Sequence, residues 1–166
     1  NEASATQTYA DTDVATANLT SNGGNISLKD KNGLTLTANT GSANAGTVTV
    51  ESFAAGLTSD NANAESDLIL TGTNQANTIN LTANAGNINQ TGGVLQAQTL
   101  NATTTDLGAT QTFTDTDVNT AVLTSNEGNI SLSDADGLTV TATTGSVTTG
   151  TASVTSFGGG AATNGT

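Results

Sequence analysis

The chain contains one stretch of sequence twice, and this repeat restricts its possible folds more than any other feature. Residues 19–38 read LTSNGGNISLKDKNGLTLTA, and residues 123–142 read LTSNEGNISLSDADGLTVTA, 104 residues later. In the wider alignment, residues 5–56 and 109–160 are identical at 34 of 52 positions. Most apolar and glycine positions are retained, whereas both lysines of the first copy are replaced by small residues in the second. A chain that repeats its core and turn residues in this way is expected to form a structural array.

The repeat predicts two consecutive units. Residues 1–108 are expected to form the first repeat unit of a β-solenoid, with the repeated core 5–56, a polar loop 54–67 and middle coils 68–108. Residues 109–166 then form a second, truncated unit. The sequence has neither an initiator Met nor a signal peptide, so we expect it to be an interior part of a longer precursor.

Short runs of alternating apolar and polar residues follow one another along both copies, separated by turn residues such as Asn22-Gly23-Gly24. This period of two is typical of strands with one buried face. No window shows a helical period, so no helix is predicted. The residues predicted to point inward are Ile26, Leu28, Leu34, Leu36, Ile130, Leu132, Leu138 and Val140, and those predicted to point outward are Thr35 and Thr139.

A finer spacing of about 20 residues, a length that suits one coil of a solenoid, lies inside the long repeat and decides between two folds. It separates apolar residues in all parts of the chain: Leu68 from Ile88, Ile79 from Leu100, and Ile26 from Val48. These spacings predict an all-β parallel β-helix with coils of about 20 residues, whose core is made of ladders of like side chains. The alternative is a pair of tandem immunoglobulin-like β-sandwiches, because Asn-Gly favours hairpins and 104 residues is close to the size of such a domain. The absence of Trp and Pro favours the β-helix.

The charge of the chain excludes several classes of partner. The net charge is −12, and the only basic residues are Lys29 and Lys31. Nucleic acids and anionic membrane surfaces are bound through Lys and Arg, so neither is an expected partner. No segment approaches the roughly 20 apolar residues that span a bilayer, so no membrane insertion is expected. With no His and no Cys, transition-metal sites and thiol nucleophiles are also excluded.

Two acidic pairs occupy equivalent places in the copies, Asp11/Asp13 and Asp115/Asp117. Carboxylates two residues apart lie on one side of a strand, about 7 Å from each other, a spacing that could serve acid/base chemistry on glycans. A polysaccharide depolymerase would also need a sugar platform, usually aromatic, and often a cationic partner. The chain offers neither, so the pairs are interpreted as solvated strand ends or turns. No catalytic residue and no enzymatic activity are predicted.

One acidic turn in each copy is a weak calcium candidate. Its residues are Asp134 and Asp136 in the second copy and Asp30 and Asn32 in the first. A calcium loop of the EF-hand type would need an oxygen ligand in place of Leu132 and a Glu in place of Thr143. Asx-turns that cap a strand fit the sequence better, so no cofactor is predicted.

Two further patterns recur along the chain. Thr-x-Thr pairs are similar to those of ice-binding solenoids, and they are Thr35/Thr37, Thr47/Thr49 and Thr139/Thr141. The first two pairs are separated by little more than half a coil, so the pairs are predicted not to share one flat face. Asn-x-Ser/Thr sequons occur at Asn18, Asn25, Asn80, Asn89, Asn101, Asn129 and Asn164. About six would occur by chance at this composition, so they carry little information.

Three strings carry a resemblance to a known family: 68–88 (LILTGTNQANTINLTANAGNI), 86–102 (GNINQTGGVLQAQTLNA) and 128–147 (GNISLSDADGLTVTATTGSV). They resemble the repeats of filamentous-haemagglutinin-type exoproteins, large bacterial proteins exported by two-partner secretion that form right-handed parallel β-helices at the cell surface. The resemblance implies a non-enzymatic rod segment of a secreted or surface-exposed adhesin or fibre. The alternative is an adhesion module that binds calcium or a glycan. Expected partners are adjacent repeats, head-to-tail copies of the chain, and a host or neighbouring cell surface.

The ends of the solenoid are predicted to continue into further coils. Residues 1–13 lack an apolar face, and the Gly158-Gly159-Gly160 tail is too small to cover one. Natural solenoids cap such ends, which otherwise expose strand edges. The coil after Phe157 is therefore predicted to accept the Thr6 to Val14 segment of a neighbouring copy, or its counterpart in a longer chain.

Overall fold

The structure is a computed structural model that describes residues 4–54, 56, 67–145 and 149–157. These residues form strands, turns and bends without any helix, as the sequence predicts. Most of the predicted loop 54–67, and the tail from residue 158, lie outside the described residues. The strands are β1 (Gln7–Thr12), β2 (Thr16–Thr20), β3 (Ile26–Asp30), β4 (Leu34–Asn39), β5 (Thr47–Ser52), β6 (Leu68–Leu70), β7 (Asn74–Gln75), β8 (Thr78–Ala83), β9 (Ile88–Gln90), β10 (Leu95–Leu107), β11 (Gln111–Asn126), β12 (Ile130–Asp134), β13 (Thr139–Thr143) and β14 (Ala152–Ser156).

The strands lie in two main stacks, and the chain alternates between them. The first stack contains, in order, β1, β3, β5, β8, the second half of β10, the second half of β11, and β13. The second stack contains β2, β4, β6, β9, the first part of β11, β12 and β14. A short third stack joins β7 to the first residues of β10 and the middle of β11. Every pairing between the described strands is parallel, which confirms the parallel β-helix and excludes immunoglobulin-like sandwiches, whose strands pair antiparallel.

The core consists of columns of apolar side chains that run along the stacks. One column in the first stack is Ile26, Val48, Ile79, Leu100, Ala121 and Val140. All eight residues predicted to point inward are buried, and Leu132 is only 1% exposed. Thr35 is half-buried on the outer side and Thr139 is exposed, so the predicted strand register is confirmed. Side chains stacked in this way fill a narrow interior without aromatic rings, which explains how a chain with 2% aromatic residues folds.

The two copies of the repeat lie on opposite stacks. β1, β3 and β5 belong to the first stack, whereas their equivalents at the start of β11, in β12 and in β14 belong to the second. The offset between the copies therefore covers four and a half turns rather than five. One turn is long, because the adjacent Thr49 and Asn80 are 31 positions apart in the sequence, whereas the adjacent Asn80 and Asn101 are 21 apart.

Two glycines allow adjacent coils to approach closely at equivalent corners. A Cβ added to Gly24 would lie 1.9 Å from the carbonyl oxygen of Ala5, and one added to Gly128 would lie 1.8 Å from that of Ala109. No side chain fits at either place, which explains why glycine is kept in both copies. These contacts show that the coils pack through their backbones at this corner.

Candidate functional site

The first acidic pair lies at the exposed end of β1, with Asp11 inside the strand and Asp13 directly after it. Asp11 forms an ion pair with Lys31, at 3.6 Å between its Oδ1 and the lysine Nζ. Asp13 Oδ1 accepts a hydrogen bond of 3.1 Å from Asn32 Nδ2. Both carboxylates are thus joined to residues of the next corner, an arrangement that ties adjacent coils together.

The second acidic pair lies in the middle of β11, at the end of its second-stack part. Asp115 is exposed, and Asp117 Oδ2 accepts a hydrogen bond of 3.1 Å from Gln96 Nε2 in the neighbouring coil. Because the copies differ by half a turn, this pair lies at the end of a second-stack segment, whereas Asp11/Asp13 lie at the end of a first-stack strand. The structure does not bring the two pairs into one constellation.

Asp30 is a buried carboxylate that stabilises the corner between β3 and β4 through hydrogen bonds. Its side chain is fully buried, and its Oδ2 accepts hydrogen bonds from the Thr12 hydroxyl at 2.6 Å and the Val14 N–H at 3.1 Å. Its Oδ1 accepts one from the Asn32 N–H at 3.0 Å, which is the predicted Asx-turn. The carboxylate therefore joins its own turn to the preceding coil.

In the second copy, Asp134 likewise joins its own turn to the preceding coil, although it lies on the opposite stack. Its Oδ1 accepts hydrogen bonds from the Thr116 hydroxyl at 2.9 Å and the Val118 N–H at 3.1 Å, and its Oδ2 accepts one from the Asp136 N–H at 3.3 Å. Burial raises the pKa of the Asp134 carboxyl above 3.8, and the charge of Asp136 adds to this, while the three hydrogen bonds act in the opposite direction. We call Asp30 and Asp134, with their donors, the aspartate corners.

All four weak calcium candidates belong to the aspartate corners, Asp30 and Asp134 as acceptors, and Asn32 and Asp136 as donors through their backbone N–H groups. The Asp30 and Asp134 oxygens face N–H and O–H donors. In the part of the chain that the structure describes, no three acidic side chains group together in a way that could hold a metal ion. Among the four, Asp136 is exposed. The absence of a cofactor stays a prediction, which titration with calcium tests.

Further polar contacts recur at equivalent positions in the two copies. In each copy a serine hydroxyl donates to a glycine carbonyl three residues later, from Ser21 to Gly24 and from Ser125 to Gly128. A glutamine side chain donates to a threonine carbonyl, from Gln7 to Thr20 and from Gln111 to Thr124. A threonine N–H donates to an asparagine side chain, from Thr47 to Asn25 and from Thr151 to Asn129. What the repeat preserves is therefore a set of hydrogen bonds within and between coils, independent of the stack on which a copy lies.

The outer face of the first stack carries an ordered set of mostly polar side chains, which we call the threonine array. It has three columns and five rows: Thr47, Thr78, Thr99, Thr120 and Thr139; Thr49, Asn80, Asn101, Val122 and Thr141; and Glu51, Thr82, Thr103, Thr124 and Thr143. Eleven of these 15 positions are threonine.

Sequence reasoning missed this array. Of the Thr-x-Thr pairs, Thr35/Thr37 lies on the second stack, but Thr47/Thr49 and Thr139/Thr141 lie together on the first. The prediction that the pairs do not share a face is therefore wrong for the last two. The sequence signal that could have found the array is the equal spacing of one coil from Thr78 to Thr99 and again from Thr99 to Thr120.

Two of the sequon asparagines stand in the array and bond to each other. Asn101 Nδ2 donates to Asn80 Oδ1 at 2.8 Å, and Asn80 Nδ2 donates to the Thr49 hydroxyl at 3.2 Å. Their side chains are thus engaged in a ladder between coils. Asn164 lies outside the described residues.

Comparisons of the chain with protein-family models, with curated proteins and with solved structures find no match. The resemblance to filamentous-haemagglutinin-type exoproteins therefore stays a prediction. Within the described ranges, the structure has no helix with the length and hydrophobicity needed to cross a membrane.

Proposed function

We propose that this chain is a non-enzymatic rod segment of a large bacterial adhesin or fibre protein that is secreted or exposed at the cell surface. One observation supports it most directly. The second copy continues the first by coil pairing, since the start of β11, which is equivalent to β1, pairs directly with β9 of the first copy's unit. Copies joined in this way extend one another instead of forming separate domains.

The proposed mechanism is mechanical. Each coil contacts mainly its neighbours, so the length of a solenoid follows from the number of its repeats. The backbone ladders, the apolar columns and the aspartate corners all join one coil to the next. One further copy would add four and a half turns, or about 22 Å at 4.8 Å per turn.

The same pairing suggests how the rod continues beyond the described strands. Among the described residues, β1 has a strand neighbour on one side only, whereas its equivalent in β11 has β9 on one side and β12 on the other. The edge of β1 therefore has the backbone geometry to accept another coil, from the same chain or from a second copy placed head to tail. A host or neighbouring cell surface is the proposed distal partner of the rod.

The experiment inserts one extra copy of residues 5–108 after residue 108, a joint that the repeat makes seamless. Small-angle scattering should show a rigid rod that is longer by about 22 Å. The control contains the same two parts joined through a flexible Gly-Ser linker, and its maximum dimension should vary with linker length. An extended chain that scatters like this control would contradict the rod.

Exposure at the surface is tested on intact cells that produce the parent protein. Antibodies against this chain should label the cells, or detect the protein in the medium, without permeabilisation. Labelling that requires permeabilised cells would contradict the proposed location.

The competing adhesion module is tested by calorimetry with calcium and with a glycan panel. The rod segment predicts no heat of binding. Calcium binding that is lost in Asp136→Ala, a substitution at an exposed turn residue, would show a binding module instead of a pure spacer.

A further inference from the structure

The threonine array has the geometry of a two-dimensional lattice. Its columns stay in register from β5 to β13, without a bulge within the paired rows. Neighbouring strands lie about 4.8 Å apart, and alternate residues of a strand lie about 6.8 Å apart. Outward groups therefore repeat at two nearly perpendicular distances, both close to repeats of the hexagonal ice lattice. We infer that the threonine array binds ice, with crystalline water as its ligand.

The side chains of the array suit this ligand. In the described part of the chain, the hydroxyls of Thr99, Thr120 and Thr139 donate no hydrogen bond to protein and accept none from it, so they are left to water. A threonine hydroxyl can both donate and accept, which matches water molecules of either orientation. The threonine methyl groups beside the hydroxyls present no competing polar atom. Each threonine thus offers one hydroxyl to a water molecule of the ice lattice and one small methyl group beside it.

Charge is nearly excluded from the array, although the chain carries 14 acidic residues. Its only charged side chain is Glu51, which lies at a corner of the array and pairs with Lys29 at 3.3 Å. Charged groups hold their own hydration shells, and these disrupt the order that an ice surface requires. The distribution of charge therefore supports a neutral crystal surface and argues against an ionic ligand.

The array is also held rigidly. Its inward neighbours, such as Ile79 and Leu100, are buried in the core columns. The hydrogen bond between Asn80 and Asn101 fixes two rows on the outside. Side-chain ladders of this kind are among the features that keep a sheet flat over many strands. A flat, preorganised surface loses little entropy on binding a crystal face.

The outer face of the second stack lacks this regularity. Its column through Thr35 continues with Ile69, Asn89, Thr112 and Ser131, so the residue type changes from row to row. The inference therefore concerns one face of the solenoid, and the other face provides the control. It does not depend on the proposed rod function.

The test measures thermal hysteresis and uptake into a slowly growing ice hemisphere, using the full 166-residue chain. The variant Thr120→Tyr places a bulky ring in the first column of the array, between Thr99 and Thr139. The matched control, Thr112→Tyr, makes the same change at a half-buried threonine of the same strand, β11, on the opposite stack. Circular dichroism establishes that each variant keeps its β-structure.

We expect the unaltered chain to show hysteresis and to enter the ice, Thr120→Tyr to lose most of both, and Thr112→Tyr to retain them. A third variant, Val122→Thr, replaces the exposed valine of the array and should increase hysteresis, so the inference stays testable if Thr120→Tyr fails to fold. Exclusion of the unaltered chain from ice, without hysteresis, would overturn the inference. Equal loss in both tyrosine variants would overturn its assignment to this face.

Discussion

The carboxylate of Asp134 is subject to two opposing influences, and the balance between them can be measured. Burial favours its neutral form, and this is the largest effect on its pKa, while hydrogen bonds from Val118, Thr116 and Asp136 favour the charged form. The net result is a pKa above 3.8 in the folded chain. Between the unfolded and the folded pKa, the folded state binds more protons than the unfolded state. This group therefore makes folding less favourable as the pH rises through that window.

Asp134→Asn should remove this contribution. The free energy of unfolding of the unaltered chain, minus that of the variant, should fall as the pH rises from about 3 toward 7, over the window above the ordinary Asp value. Urea denaturation at several pH values measures this difference. Asp115→Asn, at an exposed position of the neighbouring strand β11, controls for the loss of one negative charge. A difference that rises with pH would mean that the hydrogen bonds outweigh burial.

Single residues were predictable where the period of two applies and less so where polar groups enter the core. Ile26 and Leu132 follow from alternation alone, because one face of each strand is buried. Gln111 is also buried, at 1% exposed, in a column otherwise largely apolar, and no apolar pattern predicts it. Its position depends on carbonyls of distant residues, such as Thr124, which become neighbours only when the coil closes.

At the scale of the strand, the register of β12 gives a direct test. Leu132 is 1% exposed and its neighbour Ser131 points outward. Leu132→Ala should lower the free energy of unfolding by about 2–5 kcal/mol, because it leaves a cavity in a packed column. Ser131→Ala, on the other face of the same strand, should change it by less than about 0.5 kcal/mol. Chemical denaturation measures both, and similar losses would mean that the strand faces are assigned incorrectly.

Strand lengths were harder to predict than strand faces. The sequence shows short alternating runs, but β10 has 13 residues and β11 has 16. Each of them continues around a corner, so one strand takes part in more than one stack. Alternation is a local signal and does not show where a strand bends, because the bend is set by the coils on either side. The boundaries of these two strands therefore depend on tertiary pairing.

At the scale of the whole molecule, the repeat predicted the solenoid but not the half-turn between its copies. The coil length was visible in the recurring spacing of apolar residues, such as that from Ile79 to Leu100. The face on which each threonine lies depends on the length of every preceding turn, including the long one between Val48 and Ile79. For this reason the sequence did not predict the threonine array, although it contains every residue of it.

The same reasoning predicts which deletions the solenoid tolerates. Removal of residues 80–100 takes out one whole coil and joins Ile79 to Asn101, so Ile79 occupies the place of Leu100, its partner in the column. On the second stack, β9 is lost and β6 should pair with β11, since Leu68 and Gln111 are both partners of Ile88. Each core column that passes through the deleted coil then contains one residue fewer and stays in register. We expect a folded chain that is shorter by one coil, about 4.8 Å.

Removal of residues 80–99 is the matched control, because it takes out one residue fewer than a whole coil and joins Ile79 to Leu100 in the middle of the strand. Two apolar residues then follow each other, and everything after the joint moves to the opposite face of the sheet. Leu100 should face solvent while Asn101 enters the core. Circular dichroism and urea denaturation should show cooperative unfolding for the whole-coil deletion and its loss, or a much lower midpoint, for the control. Equal stability of the two variants would contradict a core built of columns in strict register, because a solenoid that absorbs a one-residue slip does not depend on that register.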